Sequence, residues 1–153
     1  MLQNMKPSLI PAEQASHFYM HWMNANREIR TAKIQSLITQ PLNQLNLEAL
    51  LKHEMDEGYP LPRAMRRLRN LLICAIIERD LSGEADLSEV VDTMTLFAEF
   101  AIRTHLKALS DELTAAHGTP IGAHSGTPQE MIVLGMGKLG GGELNVSSDI
   151  DLI

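Results

Sequence analysis

The residues of this sequence best suited to chemistry are two aspartates, Asp149 and Asp151, which are separated by a single isoleucine. Side chains alternate between the two faces of an extended strand, so both carboxylates are expected on one face. Two carboxylates so close repel each other, and a hard divalent cation such as Mg²⁺ relieves that repulsion. The spacing therefore favours a metal-binding pair. The plain alternative is that Asp149 caps a turn and Asp151 is solvated.

A glycine-rich run precedes the two aspartates. Glycines occupy positions 135, 137, 140, 141 and 142, and Lys138 lies among them. Glycines let a backbone approach an anion closely and present its N–H groups to phosphate, and a lysine adds positive charge. A turn of this kind, followed closely by paired acids, suits a site for nucleotide phosphates and Mg²⁺.

Two better-known phosphate motifs fit the same glycines less well. Residues 135–140 have the formal pattern G-x-G-x-x-G of a dinucleotide-binding turn. That fold needs a helix of about ten or more residues after the turn and an acid at the far end of the next strand. Here only residues 141–148 intervene, and the acids open the next strand. The sequence does not match a P-loop motif either, because Lys138 is followed by Leu139 rather than by serine or threonine.

The composition is that of an ordinary globular domain. The chain has 153 residues, of which 44% are hydrophobic and 21% charged, and a net charge of −6. This acidic balance argues against a general nucleic-acid binder, because phosphate contacts need a basic surface. The longest apolar run, residues 71–77, is shorter than the ~18 residues of a membrane span, and residues 1–14 lack the apolar stretch of a signal peptide. The lone Cys74 is expected to be buried and reduced, so we expect a cytoplasmic protein without membrane or nucleic-acid partners.

The elements that must position the candidate site are mainly helical. Apolar residues at steps of three and four predict a long helix at 87–117, which begins at a capping box of Asp86 and Glu89 and ends at Gly118. A second helix is predicted from Leu61 to Gly83, and the short link between the two predicts an antiparallel helical hairpin. Shorter helices are predicted at 12–24, 26–38 and 47–57.

The composition changes after residue 118. Residues 119–129 are rich in Gly, Pro, Ser and Thr and predict a linker. Residues 130–136 and 149–153 are short apolar runs that predict two strands. Because the sequence stops inside the second run, we expect a fragment: a mainly α helical domain at 1–118, the linker, and at 130–153 the first two strands and Gly-rich turn of a truncated α/β domain.

Residues 134–153, LGMGKLGGGELNVSSDIDLI, closely resemble a motif block of the bifunctional glutamine synthetase adenylyltransferase/adenylyl-removing enzymes. That family belongs to the DNA polymerase β-like nucleotidyltransferase superfamily, whose first two metal-binding acids lie on one strand. The form ELNVSS resembles the N-terminal, adenylyl-removing half, and residues 63–69 are similar to the family's leading helical segment. Lys138 stands where the wider superfamily usually has a small residue, but the narrower family tolerates lysine there.

The resemblance implies an activity and a set of ligands. The complete enzyme, of which this chain would be a fragment, would remove AMP from a tyrosine of glutamine synthetase by phosphorolysis and release ADP. Its other half would attach AMP from ATP. Asp149 and Asp151 would be catalytic and would hold Mg²⁺. The residues implied to bind the nucleotide phosphates are Gly137, Lys138, Gly140, Gly141 and Ser148. Glutamine synthetase is the implied partner, with a PII-type regulatory protein as a further candidate. The family expects a third carboxylate from a later strand, so this segment alone is predicted to be inactive.

A function of another class stays open, namely a non-catalytic helical interaction domain with a Gly-rich tail. His17 and His21 are four residues apart, a spacing that can bind a metal, but no third ligand is evident and an ordinary position at the surface or core edge is favoured. Five arginines on one predicted helix could meet an acidic partner, a phosphate or neighbouring acids, and a solvated face is the plain alternative. These arginines are Arg63, Arg66, Arg67, Arg69 and Arg79.

Overall fold

A computed structural model describes residues 10–153 of the chain, and in these residues the regular structure is helical. The helices are α1 (Ala12–Ala15), α2 (His17–Asn24), α3 (Arg27–Leu37), α4 (Leu47–Asp56), α5 (Leu61–Leu81), α6 (Leu87–His117) and α7 (Gly137–Gly140), with a 3-10 turn at Leu42–Gln44. The mainly helical fold class and the predicted helices are confirmed, apart from one break. Residues 1–9 of the predicted helical domain, and with them most of the stretch searched for a signal peptide, lie outside the described residues.

The break divides the predicted helix 12–24 at Ser16. This residue has extended backbone angles, φ −139° and ψ 114°, and its Oγ accepts a hydrogen bond from the Tyr19 N–H at 3.2 Å. Serine is a favoured N-cap because its side chain satisfies a backbone N–H that has no partner within the helix. The single helix predicted here is therefore wrong, since Ser16 ends α1 and begins α2.

Helices α5 and α6 form the predicted antiparallel hairpin. The Asp86 carboxylate accepts a hydrogen bond from the Glu89 N–H at 2.8 Å, which confirms Asp86 as the cap of α6. The Glu89 carboxylate, the other half of the predicted capping box, bonds instead to Leu42 and Arg79. Gly83 and Gly118 follow the two helices with φ angles of 70° and 83°, a left-handed conformation that favours glycine and ends a helix. The hairpin therefore follows from local signals at its ends.

The hydrophobic core lies along α5, most of whose buried side chains are aliphatic. Cys74 is 0% exposed, which confirms the predicted burial of the thiol. Burial raises the pKa of the Cys74 thiol to about 12. The apolar stripe of α6 packs on α5 only over its first half, and Leu109 and Leu113 are each 55% exposed. The last turns of α6 therefore extend beyond the core.

A buried ion pair ties the two helices of the hairpin to the segment before α4. Arg79 donates from Nε and Nη2 to the two carboxylate oxygens of Glu89, at 2.7 and 2.9 Å. It also donates to the Ile38 carbonyl at 2.9 Å, and Glu89 accepts a hydrogen bond from the Leu42 N–H at 3.0 Å. Hydrogen bonds to Glu89 raise the pKa of Arg79. With both groups buried and bidentate, this pair has the geometry of a strong charge-assisted contact.

The two predicted strands are wrong as regular strands. Within residues 10–153 the two segments meet in one isolated antiparallel bridge between Gly135 and Leu152. The N–H of Leu134 donates to the Ile153 carbonyl at 2.8 Å, and the Ile153 N–H donates back at 3.0 Å. The antiparallel direction suits a sheet. However, two strands without a third are only marginally stable, so the pairing is limited to one bridge. The domain boundaries remain a prediction.

The predicted linker contains a small loop, in which Ile121 and Pro128 form a second isolated bridge. The Gly122 N–H donates to the Thr127 carbonyl at 3.0 Å.

Of the helices in residues 10–153, none is long and apolar enough to cross a bilayer.

Candidate functional site

The glycine-rich segment is held against the helical hairpin by two buried leucines. Leu139 and Leu144 are 6% and 3% exposed and pack in one cluster with Ile73 of α5 and Met94 of α6. The Leu144 N–H also donates to Thr95 Oγ1 at 3.3 Å in a buried hydrogen bond. The segment that carries the predicted site residues is therefore anchored to α5 and α6. Sequence reasoning missed Thr95, since its partner lies 49 residues away.

The glycines form a compact turn around α7. Gly137 has a φ of 55°, which requires a left-handed conformation at the first residue of the turn. A Cβ on Gly140 would lie 2.4 Å from the Gly135 carbonyl oxygen, so a larger residue cannot enter without moving the backbone. The N–H groups of Gly140 and Gly141 donate to the carbonyls of Met136 and Gly137 at 3.2 and 3.0 Å. The predicted phosphate-binding glycines thus share one turn, where two of their N–H groups already have backbone partners.

Lys138 and Ser148 are brought together by the turn that follows. Asn145 Oδ1 accepts hydrogen bonds from Ser148 Oγ at 2.8 Å and from the Ser147 N–H at 3.1 Å. This fixes Ser148 Oγ within 3.5 Å of Lys138 Nζ. An asparagine that closes a turn on its own backbone is a common local device. The predicted cation and the predicted hydroxyl therefore lie side by side, directly before Asp149.

The two predicted metal ligands are exposed. The Asp151 carbonyl accepts a hydrogen bond from the Met136 N–H at 2.9 Å, which holds this residue beside the bridge. Within residues 10–153, no group of three or more His, Cys, Asp or Glu side chains is placed to hold a metal ion. Two carboxylates are hard oxygen donors and fit Mg²⁺, which keeps several waters and needs few protein ligands. The donor set of Asp149 and Asp151 is therefore compatible with Mg²⁺ as a partial site.

A groove with a volume of about 550 Å³ opens next to Asp149. We call it the α5–α6 groove. Its lining residues are Pro62, Met65, Arg66 and Arg69 of α5, Met94, Phe97, Ala98, Ala101, Ile102 and His105 of α6, and Leu144, Val146, Ser148, Asp149 and Ile150. The size is within the range of small-molecule sites. Apolar side chains thus line much of the groove, and charged and polar groups also face it.

The arginines of α5 divide between different environments. Arg67 forms salt bridges with Glu54 and Glu57, and Arg79 is paired with Glu89. Arg63 and Arg67 both lie over the ring of Tyr59, 4.9 and 3.9 Å from its centroid. The sequence left an acidic partner, a phosphate, neighbouring acids and a solvated face open for all five arginines. The structure assigns acidic partners to Arg67 and Arg79 and places Arg66 and Arg69 at the α5–α6 groove.

A second cleft, of about 610 Å³, lies between α3 and α5. Lys33 Nζ lies 2.6 Å from Glu54 and 3.1 Å from Glu57, and Arg67 is paired with the same two acids. Burial alone would raise the pKa of Glu54, but the hydrogen bonds from Lys33 and Arg67 outweigh it, so the pKa is lowered. Lys33 and Arg67 are therefore already paired with the two acids of this cleft, while Arg30, which also lines it, lies over the Trp22 ring, 4.5 Å from the centroid.

His17 and His21 lie exposed on α2. They belong to no group of three candidate ligands among residues 10–153. The structure agrees with the ordinary surface position favoured from sequence.

Comparison with known proteins gives one consistent family. The sequence model described as glutamate-ammonia ligase adenylyltransferase matches residues 12–153. Among curated proteins, the chain is 60% identical over 93 residues to a bifunctional glutamine synthetase adenylyltransferase/adenylyl-removing enzyme of Ralstonia nicotianae, covering 61% of this chain and 10% of the relative. Proteins of the same description from Aromatoleum aromaticum and Chromobacterium violaceum are 41% and 43% identical, each covering 88% of this chain and 14% and 15% of the relatives.

The chain thus spans between a tenth and about a seventh of the length of these relatives. No solved structure matches it. The family match covers both the helices and the segment with Lys138, Ser148 and the two aspartates. The chain therefore belongs to the glutamate-ammonia ligase adenylyltransferase family.

Proposed function

We propose that this chain is part of an enzyme that controls glutamine synthetase by removing AMP from a tyrosine, while another half of the same enzyme attaches AMP. Family membership supports regulation by adenylylation, and the names of the relatives include both activities. The removing half is favoured by the ELNVSS form of residues 143–148. In this proposal residues 130–153 open an α/β nucleotidyltransferase domain, whose remaining strands lie outside this sequence.

The observation that carries the proposal is the convergence of Lys138, Ser148 and Asp149 beside the α5–α6 groove. Lys138 Nζ is 3.5 Å from Ser148 Oγ, and Ser148 and Asp149 both line the groove. A cation and a hydroxyl can bind the oxygens of a phosphate group, and the adjacent carboxylate can bind a metal ion. These three residues lie within the range that the family model matches, residues 12–153.

The proposed reaction is phosphorolysis. An oxygen of hydrogen phosphate forms a bond to the adenylyl phosphorus and the bond from phosphorus to the tyrosyl oxygen breaks. The tyrosyl oxygen takes the proton that the phosphate loses, giving ADP and the unmodified tyrosine side chain. Asp149 and Asp151 would hold Mg²⁺ together with water and a carboxylate from outside this chain. Bound Mg²⁺ neutralises charge on the phosphoryl group that is transferred. In this proposal Lys138 and Ser148 bind the phosphates, and the turn of Gly137, Gly140 and Gly141 lets them approach the backbone closely, since two of its N–H groups are bonded within the turn.

The test uses the complete protein that contains this chain, with Asp149→Asn and Asp151→Asn combined. Removal of AMP is followed as ADP release from adenylylated glutamine synthetase with phosphate and Mg²⁺, and attachment as AMP transfer from ATP. Both charges disappear with little change in size, so removal should fall to background while attachment persists. The matched control is Asp111→Asn, an exposed acid paired with Lys107 on α6.

Three outcomes are informative. Loss of AMP attachment with intact AMP removal would show that this segment belongs to the attaching half and that its assignment to the removing half is wrong. No change in either activity would favour the non-catalytic interaction domain instead. The isolated 153-residue chain, assayed alongside, should release no ADP, because the third carboxylate and the rest of the sheet are missing. A PII-type regulator is a further proposed partner of the complete protein.

A further inference from the structure

Arg66 and Arg69 differ from the other lysines and arginines of the described chain. Within residues 10–153, neither arginine has a carboxylate oxygen within 4.0 Å or an aromatic ring beneath its guanidinium. The other described cations have a carboxylate or ring partner, except Lys138, which contacts Ser148. The three cations of residues 10–153 without such a partner therefore all lie around Ser148 and Asp149.

The position of the two arginines makes this difference informative. They lie three residues apart on α5, so they share one face of the helix, and both line the α5–α6 groove. Asp149 lines the same groove without forming a salt bridge to either one. Two guanidinium groups against one carboxylate leave a net positive charge, which becomes larger if Asp149 binds a divalent cation.

The remaining walls of the groove indicate the kind of anion. Phe97, Met65 and Ile102 supply an apolar surface, and His105 is held by a hydrogen bond between its Nδ1 and the Ala101 carbonyl at 2.9 Å. Guanidinium groups bind phosphate oxygens in a two-pronged geometry, and an apolar wall suits a flat organic ring. The groove therefore fits a phosphate group, either alone or attached to a larger molecule with a ring.

We propose that Arg66 and Arg69 form a phosphate-binding subsite by which the helical hairpin contributes to the site of Asp149. The ligand is a phosphate group, supplied by inorganic phosphate or by a nucleotide. The assignment of ligand rests on the proposed function, whereas the subsite itself rests on the two unpartnered arginines in the groove.

The experiment is arginine modification by phenylglyoxal in the complete protein, with the modified positions identified by peptide mass spectrometry. This readout is specific to each residue, so other nucleotide sites in the protein do not interfere. The probes are inorganic phosphate, ADP and adenosine, each with Mg²⁺. Arg63 is the internal control, since it lies on the same helix but over Tyr59 and outside the groove lining.

We expect phosphate or ADP to slow modification of Arg66 and Arg69 about tenfold at about ten times its Kd, with Arg63 unaffected. Protection by phosphate alone identifies inorganic phosphate as the source, and protection by ADP alone identifies a nucleotide. Adenosine should not protect, because it has no phosphate. Equal protection by adenosine, or no protection by any probe, would overturn the subsite.

A kinetic variant separates this inference from the proposed function. Arg66→Gln with Arg69→Gln should raise the KM for phosphate in AMP removal, or the Kd for ADP, about tenfold or more with a smaller change in kcat. The paired control is Arg63→Gln. If the Asp149 and Asp151 variants abolish removal while the arginine variants match the control, the subsite is wrong and the function stands. If modification is blocked as expected but the aspartate variants leave removal intact, the function is wrong and the subsite stands.

Discussion

Arg66 and Arg67 are consecutive on α5 and lie in opposite environments. Arg67 forms salt bridges with Glu54 and Glu57 and lies 3.9 Å from the centre of the Tyr59 ring, whereas Arg66 lines the α5–α6 groove with no such partner among residues 10–153. Neighbouring helical residues point about 100° apart, so one step along the chain changes the surroundings.

The same contrast separates Arg79 from Arg69. Arg79 is 6% exposed and makes hydrogen bonds to Glu89 and two backbone carbonyls, while Arg69 is exposed. Four of the five arginines of α5 therefore form two groups, the partnered arginines Arg67 and Arg79 and the open arginines Arg66 and Arg69, while Arg63 lies over the Tyr59 ring. The difference shows that one helix uses the same side chain in ion pairs on some faces and, among residues 10–153, leaves it without an acidic partner on another.

The largest effect on stability is expected from Arg79→Leu, which leaves the Glu89 carboxylate buried without its partner. Breaking one side of a buried pair costs about 3–5 kcal/mol, because the remaining charge is uncompensated. Urea unfolding of the chain, followed by circular dichroism, measures this loss. Labelling of Cys74, which is buried in the folded chain, should speed up in parallel.

The matched control for Arg79 is Arg103→Leu. Arg103 pairs with Glu99 at 3.2 Å on the exposed surface of α6, and such pairs contribute about 0–1 kcal/mol. If the two variants lost the same stability, Arg79 would not belong with the partnered arginines.

The second-largest effect on the free energy of unfolding is expected from Glu54, whose stabilising contribution should be lost on acidification. Its pKa is lowered in the folded chain from an ordinary value of 4.5, so the unfolded chain binds the proton more tightly. The stabilisation by Lys33 and Arg67 is therefore present in full above pH 4.5 and is lost as the pH falls through the lowered folded pKa. Glu54→Gln should cost about 1.5–3 kcal/mol at pH 7 and flatten the fall in unfolding free energy below pH 4.5.

The test is a series of urea unfolding curves between neutral and strongly acidic pH. Glu99→Gln serves as the comparison, because this acid pairs on the open surface with Arg103. An identical acid profile for Glu54→Gln and the unmodified chain would contradict the contribution of this cluster.

The smallest effect on stability is expected from Arg66→Gln with Arg69→Gln. Both side chains are exposed and lack an acidic partner among residues 10–153, so the free energy of unfolding should change by about 0.5 kcal/mol or less. The same urea curves measure it. A loss comparable with that of Arg79→Leu would remove the distinction between the open and the partnered arginines.

The sequence by itself determined the helices and most of their ends. Asp86 and Gly118 mark the limits of α6 because a cap and a left-handed glycine act within one turn of the chain. The apolar period predicted α5 and the burial of Cys74 for a similar reason, since one face of a helix must be covered. The motif of residues 134–153 also pointed to the family that the comparison then matched.

Tertiary structure alone decided how the charged residues are used and where the glycine-rich segment lies. The pairing of Arg67 with Glu54 and the bond from Leu144 to Thr95 join residues 13 and 49 positions apart. The local sequence pattern does not predict contacts between residues so far apart in the chain, because these contacts depend on how α4, α5 and α6 pack. The predicted strands failed for a related reason, since a strand needs neighbours on which to pair, and here Gly135 and Leu152 meet in a single bridge. The same packing left Arg66 and Arg69 facing the groove beside Asp149.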